Sequence, residues 1–168
     1  FTKIGLEGAL AFNNFNVQSE YIRMDIYRSG THKEKDPTDP ENKIDVLNKN
    51  VKFDGGYVFA SWVITGEKRP WDASQGEFGQ IIPANNTLGA WEIAVRYSHL
   101  NLSDMNTEIR GGMANNITFG LNWYANPNIR FMLNYTMVDN SEAAVGAKPL
   151  RIGNDDFSIL HGMMMVYF

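Results

Sequence analysis

Apolar and polar residues alternate along most of this chain with the period of two that β-strands require. In residues 90–98, for example, Trp91, Ile93, Val95 and Tyr97 share one face, and smaller or charged residues occupy the other. Helical periodicity is scarce. The segments with this alternation are 4–12, 21–28, 51–65, 90–98, 116–124, 129–137 and 160–168. The pattern predicts an all-β chain of about seven strands.

The connections between these segments differ strongly in length. Asn13-Asn14 and Asn126-Pro127-Asn128 are short turn signals, since Asn tolerates turn geometry and Pro cannot join a central ladder. The long polar connections are Ser29–Asn50, Gly66–Thr87, Asn101–Ala114 and Asp139–Asp156. Short turns at one end and long loops at the other are typical of transmembrane β-barrels.

One strand breaks the regular phase of the pattern. Phe15 and Val17 are out of phase with the later apolar residues Ile22, Met24 and Ile26. An extra residue in one strand would restore the phase, so we expect a β-bulge near residues 19–20.

The alternation has two interpretations. In a soluble β-sandwich the apolar face is the core, whereas in a membrane barrel it meets lipid and the polar face lines a wet lumen. Aromatic residues near the strand ends favour the barrel, because such residues gather at membrane interfaces. These residues are Trp91, Tyr97, Trp123, Tyr135, Tyr167 and Phe168. Few lysines occupy the polar faces, which also favours the barrel.

The final segment ends in an aromatic residue, Phe168, in phase with Leu160, Gly162, Met164 and Val166. A terminal aromatic strand of this kind resembles the signal that outer-membrane insertion machinery recognises. If this end lies at the periplasmic rim, the connections 29–50, 101–114 and 139–156 face the outside. The connections 13–14, 66–87 and 126–128 are then periplasmic.

Composition excludes several classes of function. Fifteen Lys and Arg against 19 Asp and Glu give a net charge of −4, which does not indicate nucleic-acid binding. Cysteine is absent, and no apolar run is long enough for a transmembrane helix. The three histidines lack ligand spacing, and no nucleophile pattern accompanies the carboxylates. We therefore expect no enzyme activity, metal or cofactor.

Four segments together resemble the carboxy-terminal half of the phosphate-selective porin O and P family. They are residues 56–70 (GYVFASWVITGEKRP), 89–98 (GAWEIAVRYS), 115–128 (NNITFGLNWYANPN) and 130–135 (RFMLNY). The resemblance implies a sixteen-stranded outer-membrane barrel, assembly as a homotrimer, and a long periplasmic connection after the Thr-Gly-Glu sequence. Seven strands would be the carboxy-terminal part of one barrel domain, residues 1–168, truncated at the amino end. Much of the pore constriction would then lie in the missing strands.

A porin lowers the barrier for a solute by keeping the pore wet and matching its charge. Arginine suits phosphate because its planar fork binds oxygens in pairs. The strand alternation predicts that Arg23, Arg96 and Arg130 line the lumen. Lys3 and Lys52 are expected near the outer mouth, and Lys68 and Arg69 near the periplasmic side.

Three carboxylates, Glu7, Asp25 and Glu92, are expected on the same inward faces as counter-charges. Cations and carboxylates could also pair locally and brace the barrel wall, and that alternative stays open. The sequence thus favours a trimeric outer-membrane porin that contacts lipopolysaccharide and passes small anions, with phosphate or polyphosphate as candidate solutes. A general pore and a soluble ligand-binding β-sandwich are the alternatives.

Overall fold

The computed structural model describes residues 1–35, 38, 41–85, 87–104, 106–107, 109–142, 144–145, 151–152 and 156–168. The strands are β1 (Thr2–Phe12), β2 (Phe15–Ile26), β3 (Thr31–Lys35), β4 (Lys43–Leu47), β5 (Val51–Val63), β6 (Trp71–Asp72), β7 (Glu77–Phe78), β8 (Ala90–Ser103), β9 (Arg110–Asn126), β10 (Ile129–Glu142), β11 (Ala144–Val145), β12 (Arg151–Ile152) and β13 (Phe157–Val166). In these ranges no helix is long and apolar enough to cross a membrane.

Seven long strands form one antiparallel sheet in the order β1-β2-β5-β8-β9-β10-β13. Each long strand pairs with the next long strand along the chain, so the sheet is an up-and-down meander. The all-β prediction and its seven strands are confirmed. Within the described residues β1 and β13 are the two edges, and the sheet is not closed into a barrel.

The two faces of the sheet follow from which residues stand opposite each other on neighbouring strands. We call the face that carries Trp91, Ile93, Val95 and Tyr97 the apolar face. Their cross-strand partners continue it, and these include Trp62, Phe119, Leu121 and Trp123. The opposite side, which carries Glu92, Ala94, Arg96 and Ser98, is the polar face. On the last strand Leu160, Gly162, Met164 and Val166 lie on the apolar face, as the alternation predicted.

The apolar face is bare. Large side chains at its centre stay open, with Val58 at 51%, Phe119 at 49% and Leu133 at 48% exposure. The only cluster of buried apolar side chains among the described residues is small and lies on the other side, where Ile81 packs on Val63, Ala90 and Tyr124. A soluble protein rarely leaves so large a continuous apolar surface uncovered. The side chains thus have the arrangement of a sheet whose apolar face meets something other than water.

The bulge predicted near residues 19–20 is wrong. The pairings of β2 with β1 and with β5 run without a shift through Ser19 and Glu20. Phe15 and Val17 therefore lie on the apolar face, and Ile22 and Met24 lie on the polar face. The pairing of β2 is regular along its whole length. What changes along the strand is whether the residues on a given face are polar or apolar.

Irregular pairing occurs elsewhere. It lies between Asn101 and Ser103, between Ile129 and Arg130, and between Asp139 and Glu142. The first of these irregularities lies at the end of β8, and the third lies at the end of β10. At both places a connection begins. Residues 143, 146–150 and 153–155 of the predicted connection 139–156 lie outside the described residues.

Both short turns of the sheet lie at one of its two ends. We call the end with the turns at residues 13–14 and 126–128 the turn end, and the opposite one the loop end. At the loop end, β3 and β4 form a hairpin within the predicted connection 29–50. The predicted connection 101–114 is shorter than expected, because β8 runs to Ser103 and β9 starts at Arg110. At the turn end, residues 64–89 join β5 to β8 and contain the short pair β6–β7.

Candidate pore wall

Arg96 lies on the polar face near the middle of β8. It stands opposite Phe59 on one side and Thr118 on the other. Its guanidinium carbon lies 4.2 Å from the ring centroid of Tyr57, a cation–π contact that orients the side chain and leaves its charge intact. The structure thus places Arg96 on the face where the sequence predicted it.

Arg130 lies on the same face at the turn end. It stands opposite Tyr124, with its guanidinium carbon 5.4 Å from the tyrosine ring centroid. Along β9 the partners of Arg96 and Arg130, Thr118 and Tyr124, are six positions apart. At the rise of a β-strand this separation is about 20 Å. Within the described residues neither arginine forms an ion pair, so the polar face carries two spaced positive charges.

Lys3 and Glu7 are also on the polar face, on the edge strand β1. Lys3 stands opposite Met24, and Glu7 stands opposite Glu20. Two carboxylates directly opposite each other on neighbouring strands repel. Glu20 was not predicted as a wall residue, although its place follows once the register of β1 and β2 is known. This part of the polar face thus carries two facing negative charges as well as the positive charge of Lys3.

The register puts Arg23 and Asp25 on the apolar face rather than on the predicted inward face, and it puts Lys52, which was expected near the outer mouth, on that same apolar face. Arg23 stands opposite Ile4, and Asp25 stands opposite Lys52, which puts all three on the apolar face at the loop end. Arg23 donates to Asp25, with Nη2 and Oδ1 3.3 Å apart. For Arg23 the alternative of local pairing is therefore the one that the structure shows.

The physical reason lies in the length of β2. In the second half of β2, Ile22, Met24 and Ile26 lie on one face. Taken without the neighbouring strands, this apolar face predicts contact with lipid. The neighbouring strands show that β2 continues past the last aromatic of the apolar face, Tyr21, into a zone where outward residues are charged. In that zone the polarity of a side chain no longer shows which face of the sheet it occupies. Only the register of its strand with the neighbouring strands does.

Glu92 is the most enclosed charge on the polar face. Its side chain is 0% exposed and receives three hydrogen bonds. Arg69 Nη2 donates to Oε1 at 2.7 Å, while Asn122 Nδ2 and the Tyr124 hydroxyl each donate to Oε2 at 2.8 Å. Arg69 Nη2 also lies 3.1 Å from the Tyr124 oxygen. Glu92 is thus a counter-charge, and its cation is Arg69 rather than any arginine predicted to line the lumen.

The described residues between β5 and β8, 64–85 and 87–89, fold back over this part of the polar face, and we call them the connecting segment. Ile81 from the segment is fully buried against the sheet, as is Tyr124 beneath it. Gly89 returns the chain to β8 with φ of 68°, and a Cβ there would collide with the Tyr124 carbonyl. The sequence predicted the length of this segment but not its position on the wall.

Glu67 stabilises the fold of the connecting segment itself. It accepts hydrogen bonds from the Thr65 hydroxyl and, at 3.2 Å, from the backbone amide of Ala84. Partial burial acts to raise the pKa of Glu67, but these bonds and its own amide outweigh burial and hold the pKa below its usual 4.5. Its carboxylate is therefore bonded within the segment. Lys68, one residue later, is exposed.

Aromatic residues form a row on the apolar face at the turn end. The Trp91 and Trp123 rings stack with centroids 5.7 Å apart, and Trp123 stacks on Phe131 at 5.4 Å. The remaining members of this row are Phe12, Phe15 and Trp62. Toward the loop end the same face carries Tyr21, Tyr97 and Tyr135. Two aromatic belts with aliphatic residues between them match the girdles of membrane-spanning sheets.

Phe168 lies two residues beyond β13, and its side chain is fully exposed. The preceding backbone amide, that of Tyr167, donates to the Asn128 carbonyl at 2.8 Å and continues the sheet to that point. The role of Phe168 as an insertion signal stays a prediction.

A sequence profile of the family described as phosphate-selective porin O and P matches residues 2–168. The chain belongs to this family. Porin O of Pseudomonas aeruginosa is 28% identical over 159 residues, which are 90% of this chain and 31% of that protein. An uncharacterized protein of Caulobacter vibrioides is 32% identical over 111 residues, which are 64% of this chain and 21% of that protein. The chain thus spans less than a third of the length of the curated relatives it matches.

Membership of this porin family confirms the resemblance that the sequence suggested. Members are outer-membrane proteins of Gram-negative bacteria, so this chain is a protein of the bacterial outer membrane. The soluble β-sandwich alternative is therefore wrong. The family is one of channels rather than enzymes. In the described ranges no group of three His, Cys, Asp or Glu side chains could hold a metal ion.

Proposed function

We propose that this protein acts as a porin, with the seven-stranded sheet forming part of a closed sixteen-stranded barrel. The apolar face meets lipid, and the polar face lines a water-filled lumen through which small anions diffuse. One observation carries the proposal: the bare apolar face lies directly behind a polar wall that holds Arg96 and Arg130, neither of which forms an ion pair within the described residues. Family membership agrees with it.

The bare face is the strongest physical support for a lipid boundary. Each large apolar side chain that moves from water into a nonpolar environment contributes about 1.5–3 kcal/mol. More than a dozen such side chains lie open on one face, and no layer of the described residues covers them. Lipid chains would cover all of them at once. The aromatic rows would then lie at the two headgroup levels.

The cations of the polar wall support passage of anions. Arg96 and Arg130 present guanidinium groups at two depths, and Lys3 adds an ammonium group toward the loop end. A guanidinium group binds phosphate oxygens in pairs and is weakly hydrated, so it can replace part of the water shell of a passing anion. We propose phosphate or polyphosphate among the solutes on this basis.

A general pore without phosphate preference is the second candidate. The opposed carboxylates Glu7 and Glu20 favour it, because they place negative charge on the same wall. The net charge of −4 adds to this tendency. Mixed charge on one wall is typical of a pore that admits solutes of both signs.

Planar-bilayer recording of the full-length protein separates these two candidates. The chloride current is measured while phosphate is added as a competing solute. A phosphate-preferring pore should show a falling chloride current, because phosphate occupies the arginines for longer than chloride does. A chloride current that millimolar phosphate leaves unchanged would reject selectivity and favour the general pore.

We also propose that the protein assembles as a homotrimer and contacts lipopolysaccharide. At the loop end of the apolar face, charges of both signs lie beyond the tyrosine row. They are Arg23, Asp25, Lys52 and Asp54. Phosphate groups of lipopolysaccharide can pair with the cations directly and with the carboxylates through divalent ions. Heat-modifiable migration and native mass in detergent test the assembly, and a monodisperse monomer without detergent would contradict both proposals.

A further inference from the structure

The connecting segment is far longer than its task requires. It joins β5 to β8, which are direct neighbours with Val63 opposite Glu92. Two residues suffice to connect adjacent antiparallel strands. Here the connecting segment instead leaves the sheet, forms the β6–β7 hairpin and returns over the polar face. The connecting segment thus lies over the polar face. If the proposed function holds, it narrows the lumen there.

One ionic contact joins the middle of the segment to the wall. Arg69 is the cation that neutralises Glu92, and the Tyr124 hydroxyl contacts both side chains. Asn122 and Tyr124 belong to the wall and remain with Glu92 wherever the segment lies. Only Arg69 comes from the segment, and its side chain is 14% exposed.

At the start of the segment the Ile64 amide donates to the Trp91 carbonyl, and the Trp91 amide donates to the Thr65 hydroxyl. Beyond these two bonds, few other contacts hold the segment on the wall. Ile81 is fully buried, and Pro83 is the other buried apolar side chain among the described residues of the segment. Gln80 adds a hydrogen bond to the Pro127 carbonyl, and the Trp123 indole donates to the Leu88 carbonyl at 3.1 Å. A carboxylate without solvent contact requires a paired cation, so Glu92 and Arg69 favour the docked position strongly.

We infer that the contact of Arg69 with Glu92 and Tyr124 is a latch that holds the connecting segment against the pore wall and so sets the aperture at the turn end. Arg69 and Glu92 are positioning residues, because they act on solutes through the segment. The inference rests on the proposed porin function and adds a specific device to it.

Replacing either Arg69 or Glu92 breaks the latch. The two replacements should change the conductance in the same direction and the ion preference in opposite directions. Arg69→Gln leaves Glu92 without its cation, so the carboxylate hydrates, the segment moves away and negative charge faces the lumen. Glu92→Gln frees the segment as well but leaves the positive charge of Arg69. Both variants should therefore raise single-channel conductance and current noise. Arg69→Gln should shift the reversal potential toward cations, and Glu92→Gln should shift it toward anions.

The test is single-channel recording of the full-length protein in a KCl gradient. The double variant Arg69→Glu with Glu92→Arg should restore low conductance, since it rebuilds the pair with exchanged charges. Glu77→Gln is the matched control: it removes a carboxylate from the exposed hairpin of the same segment and should leave conductance unchanged. Heat-modifiable migration shows which variants fold.

Two outcomes would overturn the latch. One is unchanged conductance in folded Arg69→Gln and Glu92→Gln, and the other is a shift of the reversal potential in the same direction in both. If either variant fails to fold, Tyr124→Phe replaces it, since it removes only the hydroxyl between the two charges. A rise in its conductance supports the latch, and an unchanged conductance rejects it. Absence of channels in the wild-type protein would instead contradict the proposed function.

Discussion

Placing one charge on each face of β10 tests which face meets lipid. Leu133 lies on the apolar face, opposite Leu121 and Gly162, and is 48% exposed. The next residue, Asn134, lies on the polar face. Leu133→Arg and Asn134→Arg therefore introduce the same side chain at neighbouring positions of one strand, and they differ only in the side to which it points.

The expected magnitude follows from the position of Leu133 between the two aromatic rows. It lies midway between Phe131 and Tyr135, at the centre of the apolar band. An arginine at the centre of a lipid-facing strand costs about 2–4 kcal/mol of folding free energy. At about 1.36 kcal/mol per tenfold, the folding equilibrium constant falls roughly 30- to 900-fold. If water covered this face, the same change at a half-exposed site would stay within about 0.5 kcal/mol.

The assay is reversible denaturant unfolding of the full-length protein in phospholipid vesicles, followed by tryptophan fluorescence and heat-modifiable migration. Leu133→Arg should lower the free energy of unfolding by the stated amount, and Asn134→Arg should change it much less because the lumen hydrates the new charge. Equal losses in the two variants would refute the assignment of the faces. A larger loss at Asn134 would invert it.

Two further predictions follow from the positions of charged groups. Arg96→Ala and Arg130→Ala should each reduce anion preference, measured as a shift of the reversal potential in a KCl gradient. Arg23→Ala should not, because Arg23 points away from the polar wall. An equal shift in all three variants would argue against the assignment of the faces. At the loop end, burial acts to raise the pKa of Asp104, but hydrogen bonds from the amides of Asn106 and Lys52 and the Lys52 charge outweigh it and lower the pKa below 3.8. A carboxyl with a lowered pKa stabilises the folded loop above its unfolded pKa, and that stabilisation is lost as the pH falls through the folded value. Acid-active protease should therefore cut this loop faster below about pH 4 than at pH 5, and Asp104→Asn should remove the difference.

The strands and most faces could be predicted from sequence because period-two alternation is strong wherever a strand has one face in an apolar environment. Residues 90–98 show this best, and the structure pairs every one of them as the alternation requires. The two short turns could be predicted for a local reason. Asn13, for instance, adopts a φ of 54°, which Asn tolerates better than most residues.

The faces of Arg23, Asp25 and Lys52 could not be predicted from their own strands. They lie beyond the apolar band, where outward residues are polar and inward residues such as Ile22 and Met24 are apolar. Local alternation there has the opposite phase to the rest of the sheet. Only the register with the neighbouring strands, a long-range property, assigns the face correctly.

Local pairing of the cations with Glu92 was left open by the sequence, but Arg69 could not be singled out as its partner, for another reason. Residues 64–89 have no periodic pattern, so nothing local predicts where their side chains fall. A weak signal did exist, because Glu92 is a carboxylate flanked by Trp91 and Ile93 near the turn end and requires a cation there. Among the nearby cations the sequence offered Lys68, Arg69 and Arg130, and the choice among them needed the fold.

Site-directed labelling along β8 tests the central claim most directly. Residues 1–168 contain no cysteine. Single cysteines at each position from 92 to 97 can carry a nitroxide label in the full-length protein in lipid, once any cysteine elsewhere in that protein is replaced. We predict that labels at 93, 95 and 97 are accessible to oxygen dissolved in the bilayer. Labels at 94 and 96 should be accessible to a water-soluble relaxation agent, and the label at 92 should be shielded by the connecting segment. Access to the water-soluble agent at all six positions, or the reverse alternation, would contradict a pore wall backed by lipid.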